Sequence, residues 1–280
     1  MIWEAATAEE WTALSASRDL VAFRDLGQAA AALARLAQCH VARPSITGRH
    51  GSVVAEPAPT GKAQLTTEPR LKDWLRQWGL SIPAGMVCPD ARSAQAFAST
   101  LQRGIVLKIV AAALPHKSDV GGVLVCRAPE QDVAESFHDL WARVRAHAPT
   151  VEPDGVLVEE LIDEPGVELF VTLRRDPVYG LVTVIGRGGT DIEVDPDYVV
   201  HVGPISAWQV PQLLGGLRCA TLLDGFRGRP ALAREELARG LVRLQQALQS
   251  TDLMELELNP VKLTPTSAWI LDALATGSAR

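Results

Sequence analysis

Two lysines nine residues apart stand out in a chain that otherwise builds its positive charge from arginine. Of 27 basic residues, five are lysine, at 62, 72, 108, 117 and 262, and the other 22 are arginine. Arginine is a planar fork and lysine a compact point charge on a flexible stem, so some phosphate chemistry accepts lysine alone. Lys108 lies inside the apolar run Ile105-Val106-Leu107-Lys108-Ile109-Val110. Burial there is costly unless the ammonium pairs or meets an anion, which places it at a cleft on a sheet surface; the alternative is an edge-strand lysine that guards against aggregation. Lys117 lies in Pro115-His116-Lys117-Ser118-Asp119-Val120-Gly121-Gly122-Val123. Backbone N–H groups around Gly121 and Gly122 suit a concave nest for phosphate oxygens, with Lys117 adding charge. His116 has the chemistry of a nucleophile toward a phosphoryl group, against the plain alternative of a solvated loop histidine.

Carboxylates supply the complementary chemistry. Glu159 in Leu157-Val158-Glu159-Glu160-Leu161 and Glu168 in Glu168-Leu169-Phe170 sit on consecutive extended stretches. Beside a hinge between two subdomains such a group accepts hydrogen bonds from ribose hydroxyls; acidic residues on strands are equally a wet face. Further on, Glu257 and Asn259 share one face of a strand because side chains alternate, and Asp272 falls opposite them on the next strand. Oxygen ligands from two adjoining strands are what Mg²⁺ needs when phosphate and water fill its other positions, the alternative being a hairpin with a wet face.

The elements that must position these groups follow from periodicity and turn signals. Helix, strand and helix are predicted at 8–14, 20–23 and 25–38, then a Pro- and Gly-rich linker at 43–63. Beyond a boundary near 65, helices are predicted at 68–78, 90–102, 130–147, 207–223 and 232–249. Strands are expected at 82–88, 105–110, 123–126, 155–161, 168–174, 181–186, 191–194, 256–263 and 268–274, with 155–194 forming one antiparallel sheet. The fold class is therefore α+β.

With 280 residues, 47% hydrophobic and 21% charged, at net charge −6, the composition is that of a globular protein without the basic footprint of a nucleic-acid binder. Cys39, Cys88, Cys126 and Cys219 are scattered, with no Cys-x-x-Cys pair, which argues against a zinc site or a disulfide framework. No apolar run reaches the ~18 residues of a membrane span, so the expectation is a cytoplasmic protein with reduced thiols.

In order, these segments resemble the ATP-grasp module of the ADP-forming acyl-CoA synthetases, the succinyl-CoA synthetase superfamily. The motifs are Val106-Leu107-Lys108; the His116-to-Val123 block; Gly155-Val156-Leu157-Val158-Glu159 with Glu168-Leu169; Arg175-Asp176-Pro177 with Tyr179-Gly180; Gly186-Arg187-Gly188-Gly189 with Glu193; Gly225-Phe226-Arg227-Gly228; Glu257-Leu258-Asn259-Pro260; and Leu271-Asp272. The resemblance implies two α+β subdomains clamping ATP or ADP over residues 67–280. A remnant of a CoA-ligase domain at 1–45 and a linker at 46–66 would precede them. Lys108, Gly121 and Gly122 would hold the nucleotide phosphates, Glu159 would sit at the adenine hinge, Glu168 would bind ribose, and Asn259, Asp272 and Glu257 would hold Mg²⁺. Lys117 would neutralise charge and His116 would carry a phosphoryl group.

The sequence also departs from the family. His201 stands where it usually has Arg, Ala231-Leu232-Ala233 follows Gly228 without the usual acid, and one extra residue between Glu159 and Glu168 leaves Glu160 or Glu164 open for the hinge. By the same resemblance the chain is expected to serve as the phosphoryl-transfer subunit of an acid–CoA ligase. Its partner would be a separate CoA-binding, phosphohistidine-bearing alpha-type subunit that handles the small-molecule acid. The competing readings are a non-catalytic nucleotide-binding regulatory module and an ATP-grasp ligase joining a carboxylate to an amine.

Overall fold

The computed structural model describes residues 67–114, 117–127, 132–188 and 197–277, all within one compact unit, Pro57–Arg280. The elements expected before residue 67, the strand expected at 191–194, and His116 lie outside the described residues.

The chain enters through α1 (Glu68–Gln77), whose Leu71, Trp74 and Leu75 are buried. A four-stranded sheet follows, made of β1 (Gly85–Cys88), β2 (Ile105–Val110), β3 (Val123–Cys126) and β4 (Gly155–Glu160) in the order β1-β4-β2-β3. Every pairing in it is antiparallel. Helices α2 (Ala91–Ala98) and α3 (Val133–His147) close one face, starting at Asp90 and Asp132, whose side chains accept from backbone N–H groups of the first turn. Ile105, Leu107 and Ile109 point into this core with Val156, Val158, Phe137, Leu140 and Val144. By alternation, Val106, Lys108, Leu157 and Glu159 occupy the opposite face.

The second sheet contains β5 (Val167–Asp176), β6 (Gly180–Arg187), β7 (Tyr198–Val202), β8 (Leu253–Leu263) and β10 (Ala273–Gly277) in the order β10-β8-β5-β6-β7, with β9 (Ala268–Ile270) pairing with β8. One face buries Leu256, Leu258, Val171 and Leu173 against α6 (Arg234–Gln249), α1 and the short helices α4 (Val210–Gly215) and α5 (Ala220–Leu223).

Three local expectations are corrected. The strand expected at 155–161 does not share a sheet with 168–174. It is apolar from Val156 to Val158 and buried as far as Glu159, as befits a strand flanked on both sides by β1 and β2. The helix expected at 207–223 is three pieces, because Gly215 and Gly216 end α4 and Gly216 caps it. The closing strand expected at 268–274 is interrupted at Leu271-Asp272, between β9 and β10, an interruption that builds the site.

Candidate functional site

Lys108 enters the site from the face of β2 turned away from α2 and α3. It is opposite Leu157 on β4 and 7% exposed. Its ammonium lies 2.8 Å from Glu68 Oε1 and 2.8 Å from Glu159 Oε2, and it donates to the Leu271 carbonyl at 2.5 Å. Glu159 is the diagonal neighbour of Lys108 across the β2–β4 pair, where long side chains reach each other. The reading of Lys108 as a paired lysine therefore holds, and the edge-strand alternative falls, since β2 lies between β4 and β3.

A third lysine joins it. Lys72, in the helix expected at 68–78, is buried, at 2% exposed. Its Nζ is 2.8 Å from both Glu159 oxygens, 2.7 Å from Glu68 Oε1 and 2.6 Å from the Leu271 oxygen. Neither Lys72 nor Glu68 was anticipated as a site residue. The Glu68-to-Lys72 spacing of four is that of an ordinary solvent-facing helix pair, and the one signal in the sequence was the scarcity of lysine itself.

Lys117 begins a short 3-10 turn, Lys117–Val120. The turn closes through Gly121 N–H to Ser118 O and Gly122 N–H to Lys117 O, at 3.1 and 2.7 Å, so both glycine amides are occupied inside it. Gly121 adopts a φ of 67°, and a Cβ on Gly122 would lie 2.7 Å from Ile109 Cγ2 and 2.8 Å from the Lys117 oxygen. The glycine pair thus shapes the turn that delivers Lys117. The Lys117 ammonium reaches Glu68 Oε2 at 2.7 Å and the Asp272 carboxylate at 3.0 and 3.1 Å.

Asp272 and the Leu271 carbonyl are available because β9 ends at Ile270 and β10 starts at Ala273. Asn259 N–H donates to Asp272 O at 3.2 Å, which sets the two residues side by side. Glu257, opposite Thr172 and Leu274, points to the same face as Asn259, away from buried Leu256 and Leu258. Glu257 and Asn259 offer a carboxylate and an amide oxygen, hard donors of the kind Mg²⁺ selects when phosphate supplies the rest, and Asp272 lies beside Asn259 in the gap between β9 and β10. Asp272 is turned toward Lys117 and the Ala273 N–H, and Asn259 is exposed. Among the described residues, no group of three or more His, Cys, Asp or Glu residues could hold a metal.

Residues 161–166 carry the chain from β4 to β5 and so from one sheet to the other. Lys262 Nζ donates to Ile162 O there at 2.7 Å. The Glu159 side chain belongs to the lysine cluster, Glu160 lies 3.6 Å from Arg103 Nε, and Glu164 accepts from Thr266 Oγ1 at 3.1 Å. Glu168 is exposed, opposite Lys262 on β8.

Three ammonium groups and three carboxylates thus converge, drawn from both sheets, α1 and the 3-10 turn. Burial alone would raise the Glu68 carboxyl, but Lys108, Lys72 and Lys117 outweigh it and hold the group well below the usual glutamate range. Burial alone would lower Lys108 and Lys117, and carboxylates outweigh it in both: Glu68, Glu159 and Asp272 for Lys108, Glu68 and Asp272 for Lys117. Lys72 goes the other way, lowered by burial and by the neighbouring Lys108. Burial and the charge of Glu68 raise Asp272.

Residues 58–276 match the family model described as ATP-grasp domain. The chain belongs to the ATP-grasp family. It is 31% identical over 246 residues to a trans-feruloyl-CoA synthase from an unknown prokaryote, a match that takes in 87% of this chain but 34% of that protein's length. It is 28% identical over 207 residues to the beta subunit of acetate–CoA ligase (ADP-forming) I of Pyrococcus furiosus, covering 74% of this chain and 89% of that subunit. Among solved structures, the dinucleotide-forming acetyl-coenzyme A synthetase 1 of Ca. Korarchaeum cryptofilum, in complex with coenzyme A, Ca-AMPCP and HgCl⁺, matches with a TM-score of 0.70 and 30% identity. That match covers 76% of this chain and 93% of the other. The ATP-grasp fold and the kinship to ADP-forming acid–CoA ligases expected from the motifs are both borne out. Among the described residues, no helix is long and apolar enough to cross a membrane.

Proposed function

We propose that this chain binds ATP or ADP at the lysine cluster and moves the terminal phosphoryl group within an ADP-forming acid–CoA ligase, acid + CoA + ATP = acyl-CoA + ADP + phosphate. The observation that carries the reading is the convergence of Lys72, Lys108 and Lys117, each under a tenth exposed, where the two sheets meet. Point charges fixed in a site with little water stabilise the oxygens of a transferring phosphoryl group, and phosphoryl transfer asks a protein for little besides positioning and such charge. Lys108 and Lys117 hold the phosphates, Glu168 accepts from the ribose hydroxyls, and the 161–166 crossing lies along the adenine.

Asn259, Asp272 and Glu257 would hold Mg²⁺, which neutralises phosphate charge when bound. A phosphate that meets Lys117 would free the Asp272 carboxylate to serve as one of those metal donors. His116, one residue from Lys117, carries the phosphoryl group: its ring nitrogen bonds to phosphorus as the bond to the donor breaks, and the reverse step regenerates the ring. The acid and CoA belong to a separate CoA-binding, phosphohistidine-bearing subunit. The near-complete coverage of an archaeal beta subunit supports that division of labour.

The test is incubation of the chain with γ-labelled ATP and Mg²⁺, with and without a CoA-binding partner subunit. Acid-labile label on His116, lost in His116→Ala, is the expected result. No label on either subunit, with His116→Ala indistinguishable from the parent, overturns the reading.

A further inference from the structure

The group that reaches every ammonium in the cluster is not one of the lysines expected to hold phosphate but Glu68. Its carboxylate touches all three ammonium groups: Oε1 is 2.7 Å from Lys72 and 2.8 Å from Lys108, and Oε2 is 2.7 Å from Lys117. We infer that Glu68 is a positioning residue, which sets the Lys108 and Lys117 ammonium groups at the spacing a nucleotide polyphosphate requires. The inference rests on the reading of those two lysines as phosphate ligands.

Lys108 and Lys117 stand on different elements, a strand and a 3-10 turn, and each has four rotatable carbons between backbone and charge. Left alone, two such stems sample many separations. Glu68 removes that freedom from outside the small sheet, because α1 anchors its Leu71, Trp74 and Leu75 in the core of the six-stranded sheet. One planar carboxylate, fixed by that core, thereby fixes two ammonium groups at once.

Lys108 donates a hydrogen bond to Oε1 at 2.8 Å, and Lys117 pairs with Oε2 at 2.7 Å while donating to both Asp272 oxygens. Lys72 donates to both Glu159 oxygens and the Leu271 carbonyl, and Lys108 meets Glu159 Oε2 at 2.8 Å, so Lys108 is braced by Glu159 as well as by Glu68. A buried ion network of this sort contributes little net stability beside apolar residues of equal volume, so its value lies in the arrangement it enforces.

The experiment compares the full-length parent, Glu68→Gln and Glu68→Asp for affinity toward Mg-ATP and toward adenosine, together with Tm. Loss of an outer partner of a ligating group is expected to weaken Mg-ATP binding about tenfold or more in Glu68→Gln. Adenosine affinity should stay unchanged, and Glu68→Asp, which keeps the charge one methylene further back, should fall between. A folded Glu68→Gln variant whose Mg-ATP affinity stays within twofold of the parent overturns the inference, as does a parallel loss of both ligands, the mark of a merely structural role. If Glu68→Gln does not fold, the same two affinities of Glu68→Asp decide. A parent that binds neither ligand overturns the nucleotide reading itself.

Discussion

Lys117 Nζ lies 3.0 Å from the Asp272 carboxylate, joining the turn after β2 to the gap between β9 and β10. The pair crosses between the two sheets. It couples a phosphate-binding candidate to a metal-binding candidate, so under the proposed reading each would occupy the other until nucleotide and Mg²⁺ bind. Asp272→Asn keeps the shape and the Ala273 N–H contact but removes the charge. The Mg²⁺ concentration for half-maximal nucleotide binding should rise about tenfold or more in that variant, read by titrating Mg²⁺ at fixed ATP. A metal dependence identical to the parent's would remove Asp272 from the proposed metal site.

Lys108 has a different character, because its partners are buried with it. Replacing it by Met leaves Glu68 and Glu159 to share two ammonium groups in place of three and strips a donor from the Leu271 carbonyl. Breaking a buried ion pair from one side costs about 3 kcal/mol or more, so Lys108→Met should lower Tm by several degrees and abolish nucleotide binding. Lys108→Arg should not restore binding. The guanidinium is a wide fork, and the site, 7% exposed at Lys108, is built around a point charge that meets two carboxylates and a carbonyl. Thermal melts and ATP binding on the two variants check both halves.

What could be read from residues alone followed from their local surroundings. Lys108 was legible because a lysine in an apolar strand demands a partner, and Lys117 because it stands beside a histidine and two glycines. Lys72 was not: a lysine four residues after a glutamate on an amphipathic helix reads as a solvent-facing pair, and only the tertiary packing of α1 shows that this face is covered. The β9–β10 break was likewise hidden. Ala268 to Leu274 is apolar apart from Asp272, and what divides it is the pairing of β9 and β10 with different stretches of β8. The separation of β4 from β5 escaped for a related reason, since sequence neighbours pair more often than not, whereas β5 takes β8, far along the chain, as a neighbour.

The charge state of Glu68 gives the fold an acid-side dependence whose sign can be worked out. Its carboxyl titrates lower in the folded chain than in the unfolded one, because the three lysines outweigh burial. Such a group stabilises the fold above its unfolded pKa, about 4.3 for glutamate, and that contribution is lost as pH falls through and below this value. Asp272, raised by burial and by Glu68, works in the opposite sense. Stability measured by denaturant titration should therefore fall between about pH 5 and pH 3 in the parent, and fall less steeply in Glu68→Gln. An equal slope in the two would show that Glu68 is not held below its ordinary range.

The turn that carries Lys117 offers a test that leaves every charge in place. Gly122 has no room for a side chain: a Cβ would press on Ile109 Cγ2 at 2.7 Å and on the Lys117 oxygen at 2.8 Å, both far inside normal contact. Ile109 sits in the small-sheet core at 1% exposure, and its own N–H donates to Gly122 O at 2.9 Å, so neither strand nor turn yields without the other. Overpacking of this kind typically costs about 1–3 kcal/mol. The cheaper relief is displacement of the 3-10 turn, which moves the Lys117 ammonium away from Glu68 and Asp272. Gly122→Ala should thus lower Tm modestly and weaken Mg-ATP binding with no change in net charge. Gly121→Ala should cost more in stability than in contacts, because its φ of 67° disfavours any residue with a Cβ while its surroundings leave ordinary contact distances of 3.8 Å to Arg143. A Gly122→Ala variant that keeps full ATP affinity while losing stability would show that the turn supports the fold without setting the position of Lys117.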